Sequence, residues 1–300
     1  LKDKELRYLL TQNCNYDCVF CNREGFHKKS STKMLSEDYT YLFTVFKDNF
    51  DWQEISLTGG EPLLYESFDI LVKDIHNNQG IITVISNGEL LDKHLDTIAL
   101  LKRVNLSLHT LNEAKYNFLT NRIGKLPKVI SNIKATKTNL PHVDVRLNVV
   151  LKKDINDELD DIKRLIDFAN TNDCSIKFIE LSNNKDILVP LDEVKVKIEI
   201  LGFKERLQDK RKIIMSDNII LSRNSCNTAQ KTEDPSDTCN KLMDFFITPS
   251  GTINLCSETD KEISILNEVK QRDNNMLIEK LKHISTCFGQ NCNYQKEYIL

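Results

Sequence analysis

Two hydrophobic patterns alternate along the first two-thirds of the chain. Short runs rich in Val, Ile and Leu predict strands at Leu6–Leu10, Glu54–Leu57, Ile81–Ile85, Val104–Leu108, Val143–Val150 and Ser175–Leu181. Longer stretches with apolar residues every three or four positions predict helices at Ser36–Phe50, Tyr65–Asn77, Asp92–Leu101, Asn112–Thr120, Leu126–Thr138 and Asn156–Asn172. Ser36, followed by Glu37 and Asp38, reads as an N-cap with acid in the first turn. Strand–helix alternation predicts a parallel sheet with crossover helices. The expected fold class is α/β, a partial (β/α)6 TIM barrel over residues 1–185. A smaller C-terminal α+β domain is expected over 186–300. There the pattern predicts a helix at Leu191–Phe203, hairpin strands at Lys212–Ser216 and Asn218–Ser222, and a late helix at Asn274–Ile284. Asp244–Thr248 and Thr252–Leu255 flank the turn signal Pro249-Ser250-Gly251.

This topology predicts where chemistry sits, because ligands of α/β barrels meet the C-terminal ends of the strands. A cysteine-bearing loop follows the first strand. Gly59-Gly60-Glu61 follows the second and Ser86-Asn87-Gly88 the third. Ser107 ends the fourth, Asn148 is late in the fifth, and Ser182 follows the sixth. All six belong to one rim.

Composition narrows the class. Hydrophobic residues make up 40% of the 300, so a substantial core is possible. A net charge of −3, from 41 basic and 44 acidic residues, argues against bulk nucleic-acid binding but permits a local basic pocket. No apolar run reaches the length of a membrane span. Nine cysteines, an odd count with no secretory signal ahead of them, predict a cytoplasmic, reducing setting with thiols kept for metal.

Cys14, Cys18 and Cys21 form a C-x3-C-x2-C loop, three thiolates without an obvious fourth protein ligand. A [4Fe–4S] cluster held this way keeps one iron open to a small molecule. The alternative is zinc with His27 as fourth ligand, although the spacing matches none of the common zinc patterns. A second set, Cys239, Cys256, Cys287 and Cys292, could close a tetrahedral site for an auxiliary cluster or for zinc, and Cys226 could replace one of the four. Cys174, beside a strand, reads as a core thiol.

The cysteine loop, with Phe20 before its last cysteine, resembles the radical S-adenosylmethionine (SAM) superfamily, and Gly59-Gly60-Glu61-Pro62 matches that superfamily's GGEP motif. The pattern from Cys239 to Cys256, with Gly251 between them, resembles the SPASM and twitch domains that carry auxiliary [4Fe–4S] clusters. Over most of its length the chain is similar to the GTP 3′,8-cyclases of molybdenum-cofactor biosynthesis. The similarity lies in Leu6-Arg7, Asn105 to Tyr116, Leu147 to Val150 with Asp154 to Asp157, Lys177 to Leu181, and Leu191 to Val194.

The resemblance implies that Cys14, Cys18 and Cys21 hold the catalytic cluster. It also implies that Phe20, Gly60, Ser107 and Ser182 contact SAM, with Gly59, Glu61, Asn87 and Asn148 nearby. Arg7, Arg146 and Lys177 would line the substrate cavity. The implied chemistry is reductive cleavage of SAM to a 5′-deoxyadenosyl radical that takes a hydrogen atom from substrate, fed by an electron donor such as flavodoxin or ferredoxin.

The chain also departs from that family. His109 stands where Asp is usual, and Glu54 and Ser56 stand where basic residues are expected. Ser236 replaces a cysteine, and Lys241-Leu242-Met243 replaces an arginine segment. Fewer cations should weaken triphosphate binding. The expectation drawn from this is a radical SAM enzyme acting on a peptide or a non-GTP small molecule. GTP 3′,8-cyclisation is the alternative, and a non-catalytic iron–sulfur electron carrier is a third reading.

Overall fold

The computed structural model describes residues 5–21, 33–180, 188–208, 211–223, 244–254 and 262–287, without the side chains of the last two. Six parallel strands form its centre in sequence order: β1 (Leu6–Leu9), β2 (Glu54–Thr58), β3 (Ile81–Ser86), β4 (Arg103–Ser107), β5 (Asp144–Val150) and β6 (Ser175–Ile179). Each lies within two residues of its expected bounds. The crossovers carry α1 (Ser36–Phe50), α2 (Phe68–Asn77), α3 (Leu95–Ile98), α4 (Glu113–Thr120), α5 (Leu126–Asn139) and α6 (Leu159–Thr171). The fold is the expected α/β partial barrel.

Alternation along the strands separates two environments. Tyr8, Leu57, Val84, Val104, Leu106, Leu147, Ile176 and Phe178 face the helices and are fully or almost fully buried in one core. Residues of the other phase, Arg7, Ser56, Thr83, Asn105, Arg146 and Lys177, face the barrel interior. A polar lining of this kind is built for a ligand rather than for packing.

Several helix expectations change: α2 starts at Phe68 rather than Tyr65, the helix from Leu191 ends at Ile200 rather than Phe203, and three further changes have a side-chain cause. The N-cap of α1 is Leu35, not Ser36, because Asp38 in the first turn accepts a hydrogen bond from the Leu35 backbone N–H at 2.8 Å. The stretch expected as one helix over Asp92–Leu101 is a 3-10 turn at Leu91–Lys93 followed by the four-residue α3. His94 breaks it: its backbone leaves the helical region while its ring and the Thr97 hydroxyl bond Asp69. α6 starts at Leu159, since Asn156 instead ties the preceding loop, bonding the Lys152 N–H and the carbonyls of His109 and Val150.

The chain beyond residue 188 extends the same sheet. After α7 (Leu191–Ile200) come β7 (Leu207–Gln208), β8 (Lys212–Ile214) and β9 (Ile219–Ser222), and β9 pairs parallel with β6. β10 (Phe245–Ile247) pairs parallel with β1, and β11 (Thr252–Asn254) and β12 (Glu262–Ser264) follow it in antiparallel order. Both expected hairpins form, and they lie at opposite edges of one 12-stranded sheet. α8 (Leu266–Gln271) and α9 (Asn274–Cys287) close the described chain. Lys270 and Arg272 clamp the buried Asp38 of α1 at 2.5 and 3.1 Å.

Candidate active site

The cysteine loop leaves β1 and lies across the tip of β2. Gly60 N–H donates to Thr11 O at 2.7 Å and Glu61 N–H to Asn13 O at 2.8 Å. A Cβ on Gly59, whose φ is +132°, would sit 2.5 Å from Thr11 O. One on Gly60 would collide with the Asn13 carbonyl and lie 2.8 Å from Gln12 O. The glycine pair therefore admits the cysteine loop itself.

Neighbouring elements fix the rest of the loop. Asn15 joins it to the turn after β3, accepting from Asn87 Nδ2 at 2.7 Å and donating to Glu89 Oε2 at 2.8 Å. On the other side, Asp17 and Val19 N–H groups bond the Thr120 and Leu119 carbonyls of α4, and the Tyr16 and Tyr116 hydroxyls meet at 3.1 Å. The thiols of Cys14, Cys18 and Cys21 lie in electrostatic reach of one another. Cys18 is pushed up to about 12, mainly by burial and then by the other two. Metal coordination reverses such a shift. Among the described residues no three His, Cys, Asp or Glu side chains close on a single metal ion.

Glu61 is fully buried, and its carboxylate is occupied by the chain: Leu63 N–H, Ser86 Oγ and Asn87 N–H donate to it at 2.8–3.1 Å. Burial raises it to about 7, against the pull of these donors. Glu61 therefore ties the β2 rim to the β3 rim, and Asn87 ties that rim to the loop. Ser107 and Asn148 are register partners at the ends of β4 and β5. Phe20 packs edge-on to His109, ring centroids 4.7 Å apart. His109 accepts from Val150 N–H through Nδ1, and burial lowers it to about 4, so the ring is neutral.

The basic residues come together inside the barrel. Lys177 is lowered to about 7, first by burial and then by the positive charges of Arg7 and Arg146, with Arg211 adding to them. Arg146 is lowered to about 10 by burial and by Arg103. Arg7 pairs with Glu5 at 2.9 Å and Asp244 at 3.2 Å, and Ser56 bonds Glu5. The Arg7 surroundings hold Glu5 at about 2 despite its burial. The sequence reading missed Glu5, Asn15 and Asp244. Glu5 had a signal, since two residues before Arg7 on a strand means the same face. Asp244 had none, being distant in the chain.

Cys174 is a buried free thiol, as expected. His27, Ser182, Cys226, Ser236, Cys239, the 241–243 segment, Cys256 and Cys292 lie outside the described residues, as does the side chain of Cys287 at the end of α9. No helix among the described residues is long and apolar enough to cross a membrane.

These residues fit a cluster with SAM: three neighbouring thiols, a rim closed by glycine, and a buried Asn148 Oδ1 without a partner among the described residues. Comparison with known proteins agrees. The family described as the radical SAM superfamily matches residues 8–169. A probable GTP 3′,8-cyclase of Pyrobaculum aerophilum is 28% identical over 287 residues, covering 90% of this chain and 89% of its own. The GTP 3′,8-cyclase of Listeria welshimeri is 31% identical over 289 residues, covering 88% and 84%. The solved structure of Streptococcus suis SuiB bound to S-adenosylmethionine superposes with a TM-score of 0.67 at 18% identity. That match covers 91% of this chain but 64% of SuiB, less than two-thirds of its length, and shows the fold. The loop, the glycine rim, the partial barrel and the matched family together place this chain in the radical SAM superfamily, enzymes that work with a [4Fe–4S] cluster and S-adenosylmethionine.

Proposed function

We propose that this enzyme acts on GTP in the manner of the GTP 3′,8-cyclases it resembles, rather than on the peptide or non-GTP substrate that its departures first suggested. The observation that carries the reading is the crowding of Lys177, Arg7 and Arg146 inside the barrel. The positive charges of Arg7 and Arg146 add to burial in lowering Lys177, and an anion placed beside the three relieves that repulsion. Relatives matched over 84–89% of their own length carry the cyclase name. SuiB, solved with its precursor peptide SuiA, is 17% identical, which carries fold but not substrate.

In this reading Cys14, Cys18 and Cys21 bind the cluster. Phe20, Gly59, Gly60, Asn87, Ser107, Asn148 and Ser182 form the SAM rim, kept in shape by Glu61. When bound, cluster and SAM supply reductive one-electron cleavage and hydrogen-atom abstraction. Arg7, Arg146 and Lys177 orient the phosphates, and Lys177 Nζ, poised near neutrality, is fully charged once an anion arrives. The segment after residue 185 supplies an auxiliary cluster on Cys239, Cys256, Cys287 and Cys292. A flavodoxin- or ferredoxin-like protein supplies the electron.

The neutralisation of Arg7 by Glu5 and Asp244, with Ser56 in place of a cation, favours a second reading: an anionic substrate of lower charge, such as a peptide carboxylate. Incubation of reconstituted, reduced enzyme with SAM and GTP separates the two. A cyclised purine product with 5′-deoxyadenosine is expected. SAM cleavage without any cyclised purine would reject GTP and leave the superfamily assignment intact.

A further inference from the structure

Buried polar side-chain atoms almost always find a partner. Among the described residues, Arg103 Nε, Asn105 Oδ1 and Asn148 Oδ1 have none, and all three belong to the barrel-facing side of two adjacent strands, β4 and β5. On the opposite wall Glu5, Arg7, Ser56 and Asp244 bond one another across β1, β2 and the start of β10, Arg7 through Nη2 and not through Nε.

Asn148 already belongs to the SAM rim. Asn105 does not. It lies one barrel layer deeper than Ser107, with Ile85 and Arg146 as its register neighbours, and is 9% exposed. Packing does not call for an amide there, because Val104 and Leu106 on the other face carry the core contacts. An unpartnered buried acceptor disfavours folding unless something supplies the missing donor.

We infer that Asn105 is a specificity-determining residue, its Oδ1 accepting a hydrogen bond from a neutral O–H or N–H of the substrate whose anionic group lies against Arg146 and Lys177. The inference rests on the nucleotide reading above and deepens it. Adjacent strands are about 5 Å apart, so donor and anion are close neighbours in the substrate. Ribose hydroxyls beside phosphate meet this condition, and the ring N–H and amino group of guanine are the other donors. A site that hydrogen-bonds such a group rejects the analogue that lacks it.

Asn105→Leu removes the acceptor at similar volume, and two measurements on the reconstituted holoenzyme test the inference. The first is melting temperature without nucleotide. Removing an unpartnered acceptor should raise it by about 2–4 °C, whereas a structural role would lower it. The second is equilibrium binding, with the cluster oxidised so that nothing turns over, of GTP, 2′-deoxy-GTP, 3′-deoxy-GTP and inosine triphosphate. Asn105→Leu should bind GTP about tenfold or more weakly than wild type, with SAM affinity unchanged. The one analogue lacking the partnered donor should bind both proteins alike; if all three still bind the variant more weakly, the donor is the guanine ring N–H that all three keep. A lowered melting temperature, or equal GTP affinity in wild type and variant, would overturn the assignment. If wild type binds SAM but none of the nucleotides, the GTP reading falls and the melting temperature alone decides Asn105.

Discussion

At the scale of the residue, the glycine rim gives the sharpest prediction. The motif suggests that Gly60 is small so that SAM can approach. In the structure its missing Cβ makes room for the backbone of residues 12 and 13. Gly60→Val should therefore displace the cysteine loop and lose iron as well as SAM. Reconstituted iron content measures this, and a full cluster complement with SAM binding alone abolished would restore the simpler view. His109 gives a pH prediction. Burial lowers the imidazole from 6.5 to about 4, so between these values the unfolded chain holds the extra proton. Stability is then lost as pH falls from about 6.5 to about 4, by about 3 kcal/mol in total. Urea unfolding of wild type against His109→Gln, which keeps an acceptor for Val150 N–H, should show that difference growing across this window. A pH-independent difference would mean the ring is not buried neutral.

At the scale of the element, the cysteine loop is positioned by its attachments more than by its own conformation. Asn15 alone receives Asn87 and Arg122 and donates to Glu89. Asn15→Ala should lower stability by about 1–3 kcal/mol and speed loss of iron to a chelator, with Cys14, Cys18 and Cys21 intact. An unchanged rate of iron loss would show that the α4 contacts suffice. Sequence patterns were clear for long elements, where many apolar positions report one period: α1 spans its expected residues and the barrel strands shift by two at most. They failed where one polar side chain had a distant partner. Nothing in residues 92–101 announces that His94 and Thr97 reach back to Asp69.

At the scale of the whole molecule, the two chain halves share a sheet and a core. Asp38, 1% exposed, receives Lys270 and Arg272 from far along the sequence. Asp38→Ala should cost about 3 kcal/mol, since the acid also holds the Leu35 N–H and its loss leaves two cations without their anion. Chemical unfolding should show one transition at lower denaturant, and a separately melting C-terminal step would argue against the continuous sheet. The sequence by itself determined the barrel class, the strand order, the rim and the spacing of three candidate cluster cysteines, because period, turn chemistry and ligand spacing are local properties. The tertiary structure alone decided that residues after 188 extend both sheet edges. It also decided that Glu61 is tied up by Leu63, Ser86 and Asn87, and that Arg7 is met by Asp244 while Asn105 Oδ1 has no hydrogen-bond partner among the described residues. Hydrogen-bond satisfaction and charge crowding depend on which distant residues arrive at the same place, and no local pattern encodes that.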